Sequence, residues 1–311
     1  MNIAEFVFKA VDGICYPTQN MSHYPDVISV RDISYGYEEM QKGDLYYHKN
    51  ILNDGKKHPV ILYYHGGGFI KGDKKCRVSI SEYYAKEGYF VFCINYRMPP
   101  EVNFPSITYD WIDAANFLVN LSEKYNMDLD NIVVTGDSSG AYSAAFIESL
   151  CCNHGLADAI DYHGLAIKIR GAMLMCGIYD IDVLLNGTKL MGVIPATAKM
   201  FVGDFPLEKD LSNLKDFQYA EILSLTKYVN ENWCSTFMCW ADDDIVCQNQ
   251  GEPMAEKIKS VAPYFDSYNI DGFTNNHCFH LEFGHNKYAK ECMEKSLQFL
   301  EVLFAEEKIT V

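Results

Sequence analysis

Basic side chains are scarce in this chain of 311 residues: 26 Lys and Arg stand against 42 Asp and Glu, a formal charge of −16 at pH 7. Such an excess of anions repels phosphate backbones and anionic lipid, so neither nucleic acid nor a membrane surface is an expected partner. Long apolar runs are missing as well, and none approaches the roughly 18 residues of a membrane span. The opening stretch MNIAEFVFKAVDGICYP has no basic segment followed by a sustained apolar one, so it does not read as a secretory signal. Linker-like Gly/Ser/Pro runs, internal repeats and low-complexity tracts are absent, which leaves one domain over residues 1–311 as the expected organisation. The 11 cysteines form no CxxC pair. Cys93, Cys176 and Cys239 sit in apolar runs, where a reduced thiol acts as a small hydrophobe, and a cytoplasmic location is expected. No H-E-x-x-H or zinc-finger spacing occurs, so the sequence calls for no metal and no other cofactor.

Hydrophobic residues make up 49% and charged ones 22%, enough apolar material for a large core and far from a disordered composition. Residues 27–35 alternate in polarity, and Leu45-Tyr46-Tyr47 follows a turn at Lys42-Gly43-Asp44, which predicts an antiparallel strand pair. Downstream the pattern changes to short, largely apolar runs at 59–64, 89–95, 131–135, 167–176 and 235–240. These suit strands buried on both faces of a parallel sheet. Candidate helices lie between them at 79–86, 105–125, 139–151 and 252–261, and another closes the series at 287–304. The alternation predicts an open, mostly parallel, twisted α/β sheet flanked by helices. Residues 181–225 break the rhythm, with mixed polarity (Asn186, Thr188, Lys189, Lys199, Asp204, Glu208, Lys209, Asp210), and are expected to form a small cap inserted over the C-terminal edge of the strands.

Two glycine-rich blocks carry the chemistry. Gly136-Asp137-Ser138-Ser139-Gly140 follows the 131–135 run directly and opens a helical stretch. A serine on so tight a strand-to-helix turn needs small neighbours, and the following helix points its amides to where negative charge would develop. Ser138 is therefore the candidate nucleophile. The second block, His65-Gly66-Gly67-Gly68-Phe69, ends the 59–64 run. Its backbone can turn N–H groups into a site without interference from side chains. The amides of Gly66 and Gly67, with that of Ser139, are the expected oxyanion hole, and His65 is expected to be structural. An acid and then a base should follow the nucleophile in chain order. After the 235–240 strand come Asp242, Asp243 and Asp244; before the last helix come His277, His280 and His285.

With Asn95-Tyr96-Arg97-Met98-Pro99-Pro100-Glu101 and Phe104-Pro105 placed between them, the two blocks resemble the hormone-sensitive-lipase-like branch of the α/β-hydrolases, over roughly residues 55–305. The resemblance implies the α/β-hydrolase fold, a cap over the site, and a carboxylesterase with a Ser-Asp-His triad. The family's spacing from acid to a following Val or Leu selects Asp243, and its His-x-Phe pattern selects His277, with His280 as the rival. Ser139 and Ala141 stand where the family usually has Ala and often has Gly, and Met98-Pro99 replaces Leu-Ala. The expected activity is cleavage of small, short-acyl esters through an acyl-enzyme. A related amide or sugar-acetate hydrolase is the alternative, such as an arylformamidase or carbohydrate deacetylase, and a non-catalytic receptor on the same fold ranks behind both. The expected partner is a small-molecule ester, and a homodimer is left open.

Overall fold

The computed structural model describes residues 3–153, 155–186, 192–271 and 277–305. Among them, eight strands form one sheet in the order β1-β2-β4-β3-β5-β6-β7-β8. Their ranges are β1 Val27–Ser34, β2 Lys42–His48, β3 His58–Tyr64, β4 Phe90–Ile94, β5 Met127–Asp137, β6 Gly171–Met175, β7 Ser235–Ala241 and β8 Phe265–Ile270. β1 and β2 pair antiparallel as expected, but Lys42-Gly43-Asp44, expected as the turn, is the paired start of β2 and the connection runs over 35–41; β2 joins β4 antiparallel. From β4 to β8 every pairing is parallel.

The central strands carry apolar residues toward both faces because each face has its own core. Along β3, Val60, Leu62 and Tyr64 point into one cluster, with Trp111, Tyr142 and Phe146 of α3 (Ser106–Ser122) and α4 (Ser139–Cys152). Ile61 and Tyr63 point into the other, with Ile80 and Tyr84 of α2 (Val78–Ala85) and Met293, Phe299 and Leu300 of α9 (Lys287–Ala305). A two-residue period feeding two cores is why both the odd and the even positions of the 59–64 run in β3 are apolar. α5 (Gly155–Ala159) follows α4, and α8 (Gly251–Lys259) lies between β7 and β8, adding Met254 and Ile258 to the first core.

Above the strands' C-terminal ends lie α6 (Ile181–Asn186), α7 (Val193–Val202) and a string of short 3-10 turns reaching Lys227. Residues 187–191, with Thr188 and Lys189 among them, lie outside the described residues. A further helix, α1 (Ile3–Gln19), has no counterpart in the strand–helix alternation expected from sequence. It packs on α7 through a small satellite cluster in which Ala4, Val7 and Phe8 meet Ile70, Val193 and Met200. The roof over the sheet edge is therefore built from two distant stretches of chain. Among the described residues no helix is long and apolar enough to cross a membrane.

Candidate active site

Ser138 occupies the one-residue junction between β5 and α4, at φ 55° and ψ −121°. A positive φ is strained for a residue with a Cβ, and here it lifts the side chain out of the strand while the Ser138 N–H donates to Met175 O (2.9 Å). Close packing fixes the flanking residue: a Cβ on Gly140 would run into the backbone carbonyl of Tyr64 at the end of β3. The hydroxyl has one imidazole within reach, His277, whose Nε2 stands 2.9 Å from Ser138 Oγ. On the other side of that ring, Nδ1 lies 2.8 Å from Oδ2 of Asp244.

Asp244, not the expected Asp243, therefore stands behind the imidazole. The turn after β7 explains the one-residue difference. Asp244 N–H bonds back to Ala241 O (3.2 Å), which turns residue 244 inward and leaves Asp242 and Asp243 in solvent. Asp242 takes the Trp240 indole N–H instead (3.1 Å). The Asp244 carboxylate is 1% exposed, and its Oδ1 accepts the N–H groups of Val246 (2.8 Å) and Cys247 (3.0 Å). Burial disfavours its charge, but His277 and these two amides outweigh burial and hold its pKa below the usual carboxylate range. Burial likewise opposes the imidazolium of His277; Cys278 and the Asp244 carboxylate outweigh it and lift that pKa well above the usual value.

His280 is fully buried with its Nδ1 against Cys176 Sγ (3.8 Å), and burial drives its pKa down to about 3. His285 is exposed, 3.9 Å from Glu282. His65 is also wholly buried and stacks on Tyr96 at 4.5 Å, its pKa lowered by burial to about 4. The Tyr96 hydroxyl donates to the His65 carbonyl (2.7 Å), which anchors the start of the glycine loop.

The expected oxyanion donors need one correction. The Gly66 N–H is already committed, donating to Oδ2 of Asp137 at 3.2 Å. The amides of Gly67, Gly68 and Ser139 have no hydrogen-bond partner among the described residues. Gly68, at φ 61°, lines the same cavity as Ser138 and carries the ring of Phe8 where a Cβ would stand. Sequence reasoning overlooked Asp137 itself and its cation. The Arg77 guanidinium grips both carboxylate oxygens at 2.6 Å, and the Tyr63 hydroxyl donates to Oδ1 at 2.9 Å. Burial pushes the Asp137 pKa up, but Arg77 outweighs it and the pKa falls to about 2. A signal existed in the sequence. An Asp at the end of an apolar strand, inside Gly136–Gly140, must find a counter-charge once it is buried.

Residues 44–258 match the BD-FAE family. The chain belongs to that family. Esterase LipI of Mycobacterium tuberculosis is 34% identical over 95 residues, covering 30% of this chain and 30% of that enzyme. Isoprenylcysteine alpha-carbonyl methylesterase ICME of Arabidopsis thaliana is 31% identical over 115 residues, covering 37% of this chain and 26% of the plant protein. These alignments span less than a third of each curated relative's length. The inhibited esterase B of Lactobacillus rhamnosis superposes with a TM-score of 0.82 over 98% of both chains, at 16% identity, which shows a shared fold. The BD-FAE match and these neighbours agree with the hormone-sensitive-lipase-like resemblance carried by the sequence blocks.

In this BD-FAE family member the roof and the site enclose a cavity of about 70 Å³ that opens onto Ser138. Its walls are apolar: Phe8 comes from α1, Phe69 from the glycine loop, Ile181 and Leu184 from α6, and Ile194 and Phe201 from α7. No charged side chain among the described residues lines it. Among the described residues, two groups of side chains bring donor atoms close enough together to share a metal ion. One is Cys176, Cys239 and His280; the other is Asp244, Cys247 and His277, which includes the hydrogen-bonded Asp244–His277 pair.

Proposed function

We propose that this chain is a serine hydrolase that cleaves small, short-acyl, uncharged carboxylic esters in two acyl-transfer steps. The observation that carries the reading is the continuous relay Ser138 Oγ–His277 Nε2 (2.9 Å) and His277 Nδ1–Asp244 Oδ2 (2.8 Å), set at the mouth of an apolar cavity. Ser138 attacks the ester carbonyl while His277 accepts its proton, and the same proton then passes to the leaving alcohol. Asp244 holds the imidazole in the tautomer that presents a bare Nε2 to Ser138, and it stabilises the imidazolium. The oxyanion is stabilised by the amides of Gly67, Gly68 and Ser139. Water, activated by His277, cleaves the acyl-enzyme, so carboxylic acid and alcohol leave with the enzyme restored.

The cavity favours this substrate class over acetylated sugars. A carbohydrate brings hydroxyls that would lose water against Phe69, Ile194 and Phe201 without finding partners, whereas a short alkyl group is taken up by apolar burial. The charge of −16 weighs against anionic substrates. Cys93, Cys151, Cys152, Cys176, Cys234, Cys239, Cys247, Cys278 and Cys292 are free thiols, eight of them buried, which supports a reducing compartment such as the cytoplasm.

A series of p-nitrophenyl esters tests the reading together with an organophosphonate label. The expected result is peak kcat/KM between acetate and hexanoate, with the phosphonyl adduct on Ser138. A peak at dodecanoate or longer, higher kcat/KM on acetylated xylose, or an adduct on another residue overturns it.

A further inference from the structure

The Asp137 carboxylate lies where the three working loops of the site converge. Its Oδ1 accepts Arg77 Nε–H (2.6 Å) and the Tyr63 hydroxyl (2.9 Å), and its Oδ2 accepts Arg77 Nη2–H (2.6 Å) and Gly66 N–H (3.2 Å). Cys278 Sγ, one residue after His277, approaches Oδ2 at 4.0 Å. Asp137 is itself the residue before Ser138. One carboxylate thus touches the glycine loop, the nucleophile turn and the loop of the base. It is 1% exposed and Arg77 is 8% exposed, so solvent screens neither charge. A carboxylate so buried holds its charge only with a paired, hydrogen-bonded cation, and the bidentate fork of Arg77 meets that need.

We propose that Arg77 is a positioning residue for acyl transfer at Ser138: by neutralising Asp137 it lets that carboxylate hold the Gly66 amide, and so orient the Gly67 and Gly68 amides, without opposing the oxyanion's charge. The proposal rests on the serine-hydrolase reading above. Arg77 reaches neither substrate nor the reacting atoms, so its influence falls on the transition state, where charge develops, and not on substrate uptake. Loss of the guanidinium would leave an uncompensated negative charge one residue from the nucleophile. Converting Asp137 to Asn in the same variant removes that charge and still presents an amide oxygen to Gly66 N–H. A residue that merely stabilised the fold would show no such recovery of kcat.

The experiment compares the full-length parent with Arg77→Met, Arg77→Lys and the double variant Arg77→Met/Asp137→Asn. Hydrolysis of p-nitrophenyl acetate and the rate of phosphonylation are measured on each. Parent protein that neither hydrolyses the ester nor takes up phosphonate refutes the serine-hydrolase reading, and the Arg77 assignment falls with it. With an active parent, Arg77→Met is expected to lose about 100-fold in kcat with KM within about threefold, and phosphonylation to slow in parallel. The double variant should regain about tenfold of that kcat. A kcat for Arg77→Met within threefold of the parent, a loss confined to KM, or a double variant no faster than Arg77→Met overturns the proposal. Should Arg77→Met not fold, Arg77→Lys decides: it keeps charge but not the fork, and a roughly tenfold lower kcat at unchanged KM supports the assignment, whereas parental kcat overturns it.

Discussion

Asp244 and His277 are separated by 33 positions in the chain and by 2.8 Å in space, and the carboxylate that meets the imidazole is held from behind by the amides of Val246 and Cys247. An acid fixed on both sides sets the imidazole's tautomer and raises its basicity. Asp244→Asn is expected to lower kcat by about 10³- to 10⁴-fold, while Asp243→Asn and Asp242→Asn stay within about threefold of the parent. Since Asp244 raises the His277 pKa, the acid limb of kcat/KM against pH should lie above the ordinary imidazole value. Steady-state kinetics on the three variants, with a pH profile of the parent, check both statements.

The two neighbouring imidazoles should separate cleanly. His277→Ala removes the base and should leave activity near background. His280→Ala empties a fully buried position against Cys176, so its main effect should be a lower Tm, with kcat within about tenfold of the parent. Thermal melts and kcat measured side by side distinguish them; near-background activity in His280→Ala at an unchanged Tm would contradict the assignment.

Gly68 sits at φ 61° with the Phe8 ring against its α-carbon. Gly68→Ala should therefore lower kcat by about 10- to 100-fold, through backbone strain of about 1 kcal/mol and displacement of its amide. Shrinking the obstacle in the double variant Phe8→Ala/Gly68→Ala should recover part of the loss. No recovery would mean that strain alone accounts for it.

Glu148, on α4, is buried without a cation; its Oε1 accepts the Cys234 N–H (2.9 Å) and the Cys152 thiol (3.2 Å). Burial pushes its pKa up to about 7, against 4.5 for an unperturbed Glu. The folded state thus keeps a proton that the unfolded chain releases. Stability from this group is fully present below about pH 4.5 and is lost as pH rises to about 7, on the order of 3 kcal/mol in all. Glu148→Gln should flatten that fall, with a smaller drop in Tm between pH 5 and pH 8 than the parent shows. Equal drops would refute it.

Much of the architecture is legible in the sequence because a strand buried on both faces cannot hide its composition. The runs at 59–64, 131–135 and 235–240 each lie within an observed strand, and Ser138 of the Gly136–Gly140 block falls at the β5–α4 junction. What escapes is decided by contacts between distant segments. Three successive aspartates carry no periodicity that says which faces inward; the Asp244 N–H to Ala241 O bond does. A glycine triplet does not reveal which of its amides is already taken, and for Gly66 the answer lies in a carboxylate 71 residues away. The α1 helix leaves a fainter mark, since Ala4, Val7 and Phe8 recur at helical spacing but pack on α7 and Ile70 and not on the sheet.

That last contact bears on how the protein is made. α1 leaves the ribosome well before α7, and synthesis at about 5–20 residues per second separates the two by roughly 10–40 seconds. Throughout that interval Ala4, Val7 and Phe8 have nothing from α7 to bury against, and only the side of their cluster formed by Ile70 is available once β3, β4 and β5 can pair. Closure over the cavity is therefore a late event in biosynthesis.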